Sequence, residues 1–350
     1  MPLQPITATD ASQRIDDFDA VIDARSESEF ALDRLPGAVN WPSLSDAERV
    51  IIGTEYKQVS AFTAKKRGAV LVARNIALHI ERELLEAPRE WKPLIYCWRG
   101  GNRSTSLAMV LSQIGFKVHL LEGGYTEFRR LVLTDLETLP LQFNYRVICG
   151  KTGSGKSRLL TEMTRQGAQV LDLEALANHR GSVLGLVPGS PQPSQKQFDT
   201  RIWHALRHFD ATRTVWIESE SKKVGELRVP QPLIERMRAS PCLRLELSVD
   251  ARIKLLMEDY DFFVQDIAAF CERLDALRAL RGHDVINAWQ EAARNGLVEG
   301  VVRELLIDHY DPVYLSSIKR NFAKFAEALL VEPADGDPIT LASVARELLD

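Results

Sequence analysis

The stretch from residue 143 to 166 constrains this 350-residue chain more than any other part of it. Residues 143–149 (FNYRVIC) form an aromatic and β-branched run that reads as a buried strand. Directly after it come Gly150, Lys151, Thr152, Gly153, Ser154, Gly155, Lys156 and Ser157, which satisfy G-x-x-x-x-G-K-[ST], and then a helical pattern to about Gln166. Glycines let backbone N–H groups turn inward around phosphate oxygens, the helix N-terminus adds partial positive charge, and Lys156 supplies a point charge. The segment therefore predicts a P-loop between a strand and a helix of an α/β domain, holding a diphosphate or a nucleotide. Ser157 is the candidate magnesium ligand. An acidic partner at the end of a neighbouring strand is expected where magnesium serves ATP hydrolysis, and Asp172, Glu218 and Glu220 are of that kind. None stands out over the plainer reading of polar strand ends. Further strands are expected at 169–173, 214–217 and 243–247.

A second strand–loop–helix unit lies upstream. Residues 93–96 are apolar, and Cys97, Trp98, Arg99, Gly100, Gly101, Asn102, Arg103 and Ser104 follow, ahead of Leu107, Val110, Leu111 and Ile114 at helical spacing. A thiol at a strand end, before two glycines and a helix N-terminus and near the Arg103 guanidinium, is the setting that favours the thiolate. Cys97 is thus the candidate nucleophile, with Arg99 and Arg103 as its cationic neighbours. Cys149, in the strand before the P-loop, and Cys242 and Cys271, without basic or glycine-rich surroundings of that kind, read as buried, inert thiols. The four cysteines contain no C-x-x-C pair, so neither a zinc site nor a disulfide framework is expected.

With 45% apolar and 26% charged residues the chain has ordinary globular composition, and its length predicts two cores. The first 130 or so residues alternate strands (20–24, 93–96, 117–121) with helices; residues 134–142 carry Pro140 and weak periodicity and read as a linker. The expected domains are 1–138 and 139–350, the latter ending in a helical subdomain from about 251. A net charge of −4 argues against nonspecific wrapping of nucleic acid by the whole molecule but leaves room for a local basic face. Neither an apolar run of membrane-spanning length nor a signal-like N-terminus is evident, so a cytoplasmic protein is expected, without a membrane partner.

A C-x5-R loop serves cysteine phosphatases and rhodaneses alike. Val21-Ile22-Asp23-Ala24-Arg25, Glu29-Phe30, Leu35-Pro36-Gly37-Ala38-Val39-Asn40 with Pro42, and Leu121-Glu122-Gly123-Gly124-Tyr125 resemble the rhodanese pattern, and Tyr96 stands where a phosphatase typically has His. The fold class implied is α/β: an N-terminal rhodanese-like domain plus a P-loop NTPase-like domain with a helical C-terminal subdomain.

That order of domains, together with Leu173-Glu174-Ala175-Leu176-Ala177-Asn178-His179-Arg180-Gly181-Ser182, resembles the bacterial tRNA 2-selenouridine synthase family. The resemblance implies an enzyme that exchanges the sulfur of wobble 2-thiouridine in tRNA for selenium, through an S-geranyl intermediate. Its substrates would be geranyl diphosphate and selenophosphate, with no tightly bound cofactor and magnesium as a candidate ion. It implies tRNA and a selenophosphate-supplying enzyme as partners. Cys97 would then carry selenium or assist attack at C2 of the base, two roles the residues leave open. His179, Arg180 and Ser182 are candidates for phosphate or tRNA contact as much as for a polar helix end, and Lys65-Lys66-Arg67 and Arg129-Arg130 for tRNA phosphates as much as for solvated faces. Trp98 is a candidate for stacking on the uridine, and Phe262-Phe263 for an apolar groove. The rival readings are an ATP-dependent rhodanese-type sulfurtransferase and a tRNA- or nucleotide-binding regulator.

Overall fold

The structure, a computed structural model, describes residues 3–181, 185, 189–261 and 265–350. It divides into two compact units, Met1–Asp135 with Ser194–His204, and Leu136–Pro193 with Ala205–Asp350.

Unit one is built on five parallel strands, β1 (Gln4–Ile6), β2 (Ala20–Asp23), β3 (Ala38–Asn40), β4 (Pro93–Tyr96) and β5 (His119–Leu121), in the order β1-β5-β4-β2-β3. All four residues of β4 are buried, as expected of the central strand of a sheet covered on both faces. The helix Asn102–Ile114 turns Leu107, Ala108 and Leu111 onto that sheet, where they join Ile22, Ile95 and Val118 in one core. It stops at Gly115, whose φ of 122° suits only glycine. Two helices, Asp46–Gln58 and Ala61–Glu83, form an antiparallel hairpin between β3 and β4.

The segment Ser194–His204, which the sequence reading places in the second domain, belongs to unit one. It is most of the helix Gln195–Arg207, and it buries Phe198, Ile202 and Trp203. The Trp203 ring meets Phe128 edge-on at 5.4 Å and its indole N–H donates to Asp135 at 2.8 Å. Residues 134–142 are not an open linker. The helix Gly124–Thr138 runs through the first part and a 3-10 turn, Leu139–Gln142, takes up the rest, because Leu136 and Pro140 are buried.

Unit two carries β6 (Tyr145–Cys149), β7 (Gln169–Leu171), β8 (Val215–Glu218), the short pair β9 (Lys223–Val224) and β10 (Leu227–Arg228), β11 (Cys242–Leu245) and β12 (Leu329–Val331). Its main sheet is parallel, in the order β12-β11-β6-β8-β7, so the strand that feeds the P-loop is central. Helices from Val249–Asp259 to Asp311–Asn321 form the expected helical part, with a core of Phe270, Leu274, Ile286, Trp289 and Leu305. The expected subdomain from 251 to the end is corrected at its close. Leu329–Val331 returns to the sheet beside β11, and the helix Pro338–Leu349 buries Leu341 and Ala345 against the helix that follows the P-loop. Among the described residues no helix is long and apolar enough to cross a membrane.

Candidate functional site

Each unit presents one loop at the carboxyl end of its central strand, the place where open parallel sheets bind ligands. In unit one, Cys97 follows β4 and is 2% exposed. The loop is pinned from behind. Gly123 and Gly124 both have positive φ, and a Cβ on Gly124 would lie 2.7 Å from the Gly100 nitrogen and closer still to the Cys97 carbonyl oxygen. The bare backbone lets the Tyr125 N–H donate to the Cys97 carbonyl at 2.8 Å and the Thr126 N–H donate to that of Trp98 at 3.0 Å. Ser104, on the first turn of the following helix, places its hydroxyl 3.0 Å from Cys97 Sγ, and the Gly101 carbonyl oxygen is 3.7 Å from the same atom.

Arg103, expected beside the thiol, donates instead to Glu29 at 2.8 Å, and Arg49 reaches the same carboxylate at 3.0 Å. Burial works against the charge on Glu29, but the hydrogen bond and charge of Arg103 outweigh it and hold that carboxyl below its usual range. The favoured partner of this arginine is thus a carboxylate that fixes the loop's helix, and Ser43 adds a 2.9 Å bond to the Arg103 carbonyl. Arg99 is exposed. Under the loop, fully buried Arg25 is paired with Asp23 at 2.6 Å, donates to the Asp33 carbonyl at 2.6 Å, and lies 4.0 Å from the centre of the Tyr125 ring. Trp98 packs against Tyr125 at 5.4 Å, with the Lys196 ammonium 5.9 Å from its ring. Arg129 is engaged by Asp199 and the Lys196 carbonyl, and Arg130 by Glu127 at 2.6 Å, so both hold protein groups.

In unit two, residues 150–157 wrap the turn from β6 into the helix Lys156–Arg165, with Gly153 and Gly155 at positive φ. Lys156 Nζ folds back onto the Gly150 carbonyl at 2.8 Å, and the Gly150 N–H donates to the Tyr314 hydroxyl at 2.6 Å. The rest of the loop is anchored by fully buried Arg252, which donates to the Thr152 carbonyl at 2.9 Å and is paired with Asp311 at 2.6 Å; Lys151 lies 3.7 Å from the same Asp311. Ser154 Oγ, in the crook of the loop, is buried with no hydrogen-bond partner.

Four carboxylates face this loop. Ser157 donates to Glu174 at 3.1 Å, the Glu174 N–H donates to Glu218 at 2.9 Å, and Asp172 caps the short helix Leu173–Leu176 by accepting from the Ala175 N–H at 2.8 Å. Burial pushes Glu218 well above the usual carboxyl range, and the charges of Asp172, Glu174 and Glu220 add to it. Burial and the neighbouring Glu174 push Glu220 up to about 8. Glu174 is raised too, by burial and Asp172, with Lys156 pulling the other way. The acid nearest Ser157 is therefore Glu174, which sequence reasoning quoted within a motif without a role. Gly181 lies against the same acids: a Cβ there would meet Glu174 and come within 2.8 Å of Glu220.

Among the described residues no group of three or more His, Cys, Asp or Glu is disposed to hold a metal ion. His179 is buried, with Nδ1 unpartnered, and its burial favours the neutral ring. Arg180 lies 4.6 Å from the centre of the Tyr260 ring. Ser182 and the Phe262-Phe263 pair lie outside the described residues. Cys149, Cys242 and Cys271 are buried and free of disulfides, as is Cys97. Around the P-loop opens a cleft of about 620 Å³. Its lining includes residues of the P-loop with Lys156, His179 and Arg180, the acids Asp172, Glu174, Glu220 and Asp259, and the apolar side chains of Leu255, Leu256, Val313, Ile318 and Phe322.

Residues 7–131 match the family described as the rhodanese-like domain, and residues 143–297 match the tRNA 2-selenouridine synthase AAA domain. The chain is 32% identical over 324 residues to the tRNA 2-selenouridine synthase of Marinobacter nauticus, covering 84% of this chain and 87% of that one. It is 31% identical over 327 residues to the protein of that name from Alcanivorax borkumensis, covering 84% and 88%. For the one from Sulfurovum sp. the identity is 29% over 336 residues, covering 87% and 90%. With a cysteine loop in a rhodanese-like unit and a P-loop in the unit after it, this chain belongs to the tRNA 2-selenouridine synthase family of enzymes.

Proposed function

We propose that the chain converts wobble 2-thiouridine of tRNA to 2-selenouridine in two steps, with geranyl diphosphate consumed in the first and selenophosphate in the second. The observation that carries this reading is the cleft of unit two, whose lining combines the P-loop, Lys156 and Arg180 with the apolar side chains of Leu255, Leu256, Val313, Ile318 and Phe322. An allylic diphosphate likewise joins a charged head to an apolar tail. In the first step the thiocarbonyl sulfur attacks C1 of the geranyl group, the C1–O bond breaks, and pyrophosphate leaves with the electron pair. Lys156 and the loop N–H groups stabilise the departing anion. Alkylation makes C2 of the base electrophilic. Selenium from selenophosphate then bonds to C2, the C2–S bond breaks to release geranyl thiol, and water takes the phosphoryl group as phosphate. Cys97, held by Ser104 in unit one, serves this second step.

Ser157 and Glu174 are the groups that would hold magnesium here, with diphosphate oxygens completing its shell. The unpartnered buried oxygen of Glu218, whose other oxygen accepts from the Glu174 N–H, is the feature that a cation here would satisfy. When bound, such an ion neutralises charge on the diphosphate.

The reading is tested by nucleoside mass spectrometry of 2-thiouridine-containing tRNA incubated with the protein, geranyl diphosphate and selenophosphate. The wild type is expected to yield 2-selenouridine, Lys156→Ala no geranylated nucleoside, and Cys97→Ala geranylated tRNA that goes no further. Unmodified thiouridine from the wild type would overturn the reading. Sulfur transfer from thiosulfate with steady ATP turnover would put an ATP-dependent sulfurtransferase in its place.

A further inference from the structure

The hairpin Asp46–Gln58 and Ala61–Glu83 is rooted beside the Cys97 loop. Ser43, just before it, bonds the Arg103 carbonyl; Arg49 shares Glu29 with Arg103; and Asn75 of the returning helix donates to the Ser43 carbonyl at 3.2 Å and to Glu48 at 2.7 Å. From Arg49 to Gln58 the first helix climbs about 14 Å at 1.5 Å per residue. Small residues let the two helices close on each other: Ala64 is buried, and a Cβ on Gly68 would sit 3.8 Å from Ile52.

The tip faces solvent, and its composition is unusual for a solvated turn. Tyr56, Val59 and Phe62 are 55%, 72% and 69% exposed. Lys57, Lys65, Lys66 and Arg67 surround them, all exposed; Glu55, at the margin of this stretch, lies 3.9 Å from Arg67, and no Asp or Glu occurs from residue 56 to 67. Lys66 lies 4.9 Å from the centre of the Phe62 ring, so base-stacking surface and phosphate-binding charge are side by side. Exposed aromatics interleaved with cations are what unpaired RNA requires, because bases stack on rings while phosphates pair with lysine and arginine.

We propose that this tip binds the unpaired RNA strand flanking the nucleotide presented to Cys97. The proposal rests on the reading above that tRNA is the substrate, and it assigns a surface that neither catalytic loop includes. Charge complementarity selects RNA over a protein partner or a second copy of the chain: beyond the Arg67–Glu55 pair, the exposed charges beside the rings are those of Lys57, Lys65 and Lys66.

The test is fluorescence anisotropy of a 2-thiouridine-containing tRNA on the full chain, titrated with salt, for the wild type, Phe62→Ala and the double variant K65E/K66E. The double variant is expected to bind roughly tenfold or more weakly and to lose about 1.4–1.8 from the slope of log K against log salt, two phosphate contacts' worth. Phe62→Ala is expected to weaken binding about 5- to 50-fold with the slope kept. The rate of Cys97 alkylation by iodoacetamide, read by peptide mass spectrometry, should stay at the wild-type value in both. Unaltered binding in both variants overturns the hairpin assignment and leaves the tRNA reading standing. Changed sedimentation with unaltered tRNA affinity also overturns it, in favour of self-association. A wild type that does not bind tRNA overturns both.

Discussion

The two candidate loops have the same plan, a buried central strand, a glycine-bearing turn and a helix N-terminus, yet they are held in different ways. Cys97 is fixed by backbone: a second glycine turn, Gly123-Gly124, lies against the loop, and Arg103, the cation expected beside the thiol, is tied to Glu29. The P-loop is set by charge. Lys156 rests on the loop's own carbonyl, Tyr314 takes one of its N–H groups, and four acids crowd the far side with raised proton affinity. The first arrangement suits a nucleophile whose position must not drift. The second suits a site whose charges rearrange when an anion enters.

The contrast breaks most visibly at Gly124. Its φ of 60° and its contact with the Cys97 loop leave no space for a methyl group. Gly124→Ala is expected to cost unit one more than ~2 kcal/mol and to slow the Cys97 step by at least ~100-fold. Thermal unfolding and single-turnover analysis of geranylated tRNA would check this, with geranylation itself expected to continue. Equal loss of both steps would remove the distinction between the loops.

A smaller effect tests the charge-set loop. The carboxyl of Glu220 is raised to about 8 against ~4.3 in an unfolded chain, so the native state holds the extra proton between those values. Stability from this group is full below ~4.3 and is lost as pH rises to about 8. Glu220→Gln should therefore be more stable than the wild type at pH 8, by ~1 kcal/mol or more, and should gain less at pH 5. A gain independent of pH, measured by denaturant unfolding at both values, would reject the protonation argument.

The smallest effect is expected at Tyr314. Tyr314→Phe removes the acceptor on the Gly150 N–H and frees that group for phosphate. Pyrophosphate should bind ~2- to 5-fold more tightly by calorimetry, the scale of one neutral hydrogen bond. Weaker binding would mean that the hydroxyl holds the loop in shape.

Much of this was legible in the sequence. Apolar runs ending at Cys97 and at Gly150, each followed by glycines and a helical stripe, fixed both loops and the α/β class, since that order of residue types has few other solutions. The unread parts are those that depend on distant partners. Glu174 became the acid beside Ser157 only because the turn after β7 brings it there, and Arg103 left the thiol for Glu29, 74 residues away. The segment Ser194–His204 falls by position in the second domain, and only the burial of Phe198 and Trp203 assigns it to unit one. The return of residues 329–349 to the P-loop sheet is of the same kind.

What the sequence alone determined is the chemistry available, a thiol and a phosphate cradle, because strand, glycine turn and helix start are set by neighbours in the chain. What only the tertiary structure decided is which charge meets which. Ion pairs and carboxyl proton affinities depend on burial and on approach within a few ångströms, and those distances are set by packing between residues remote in sequence.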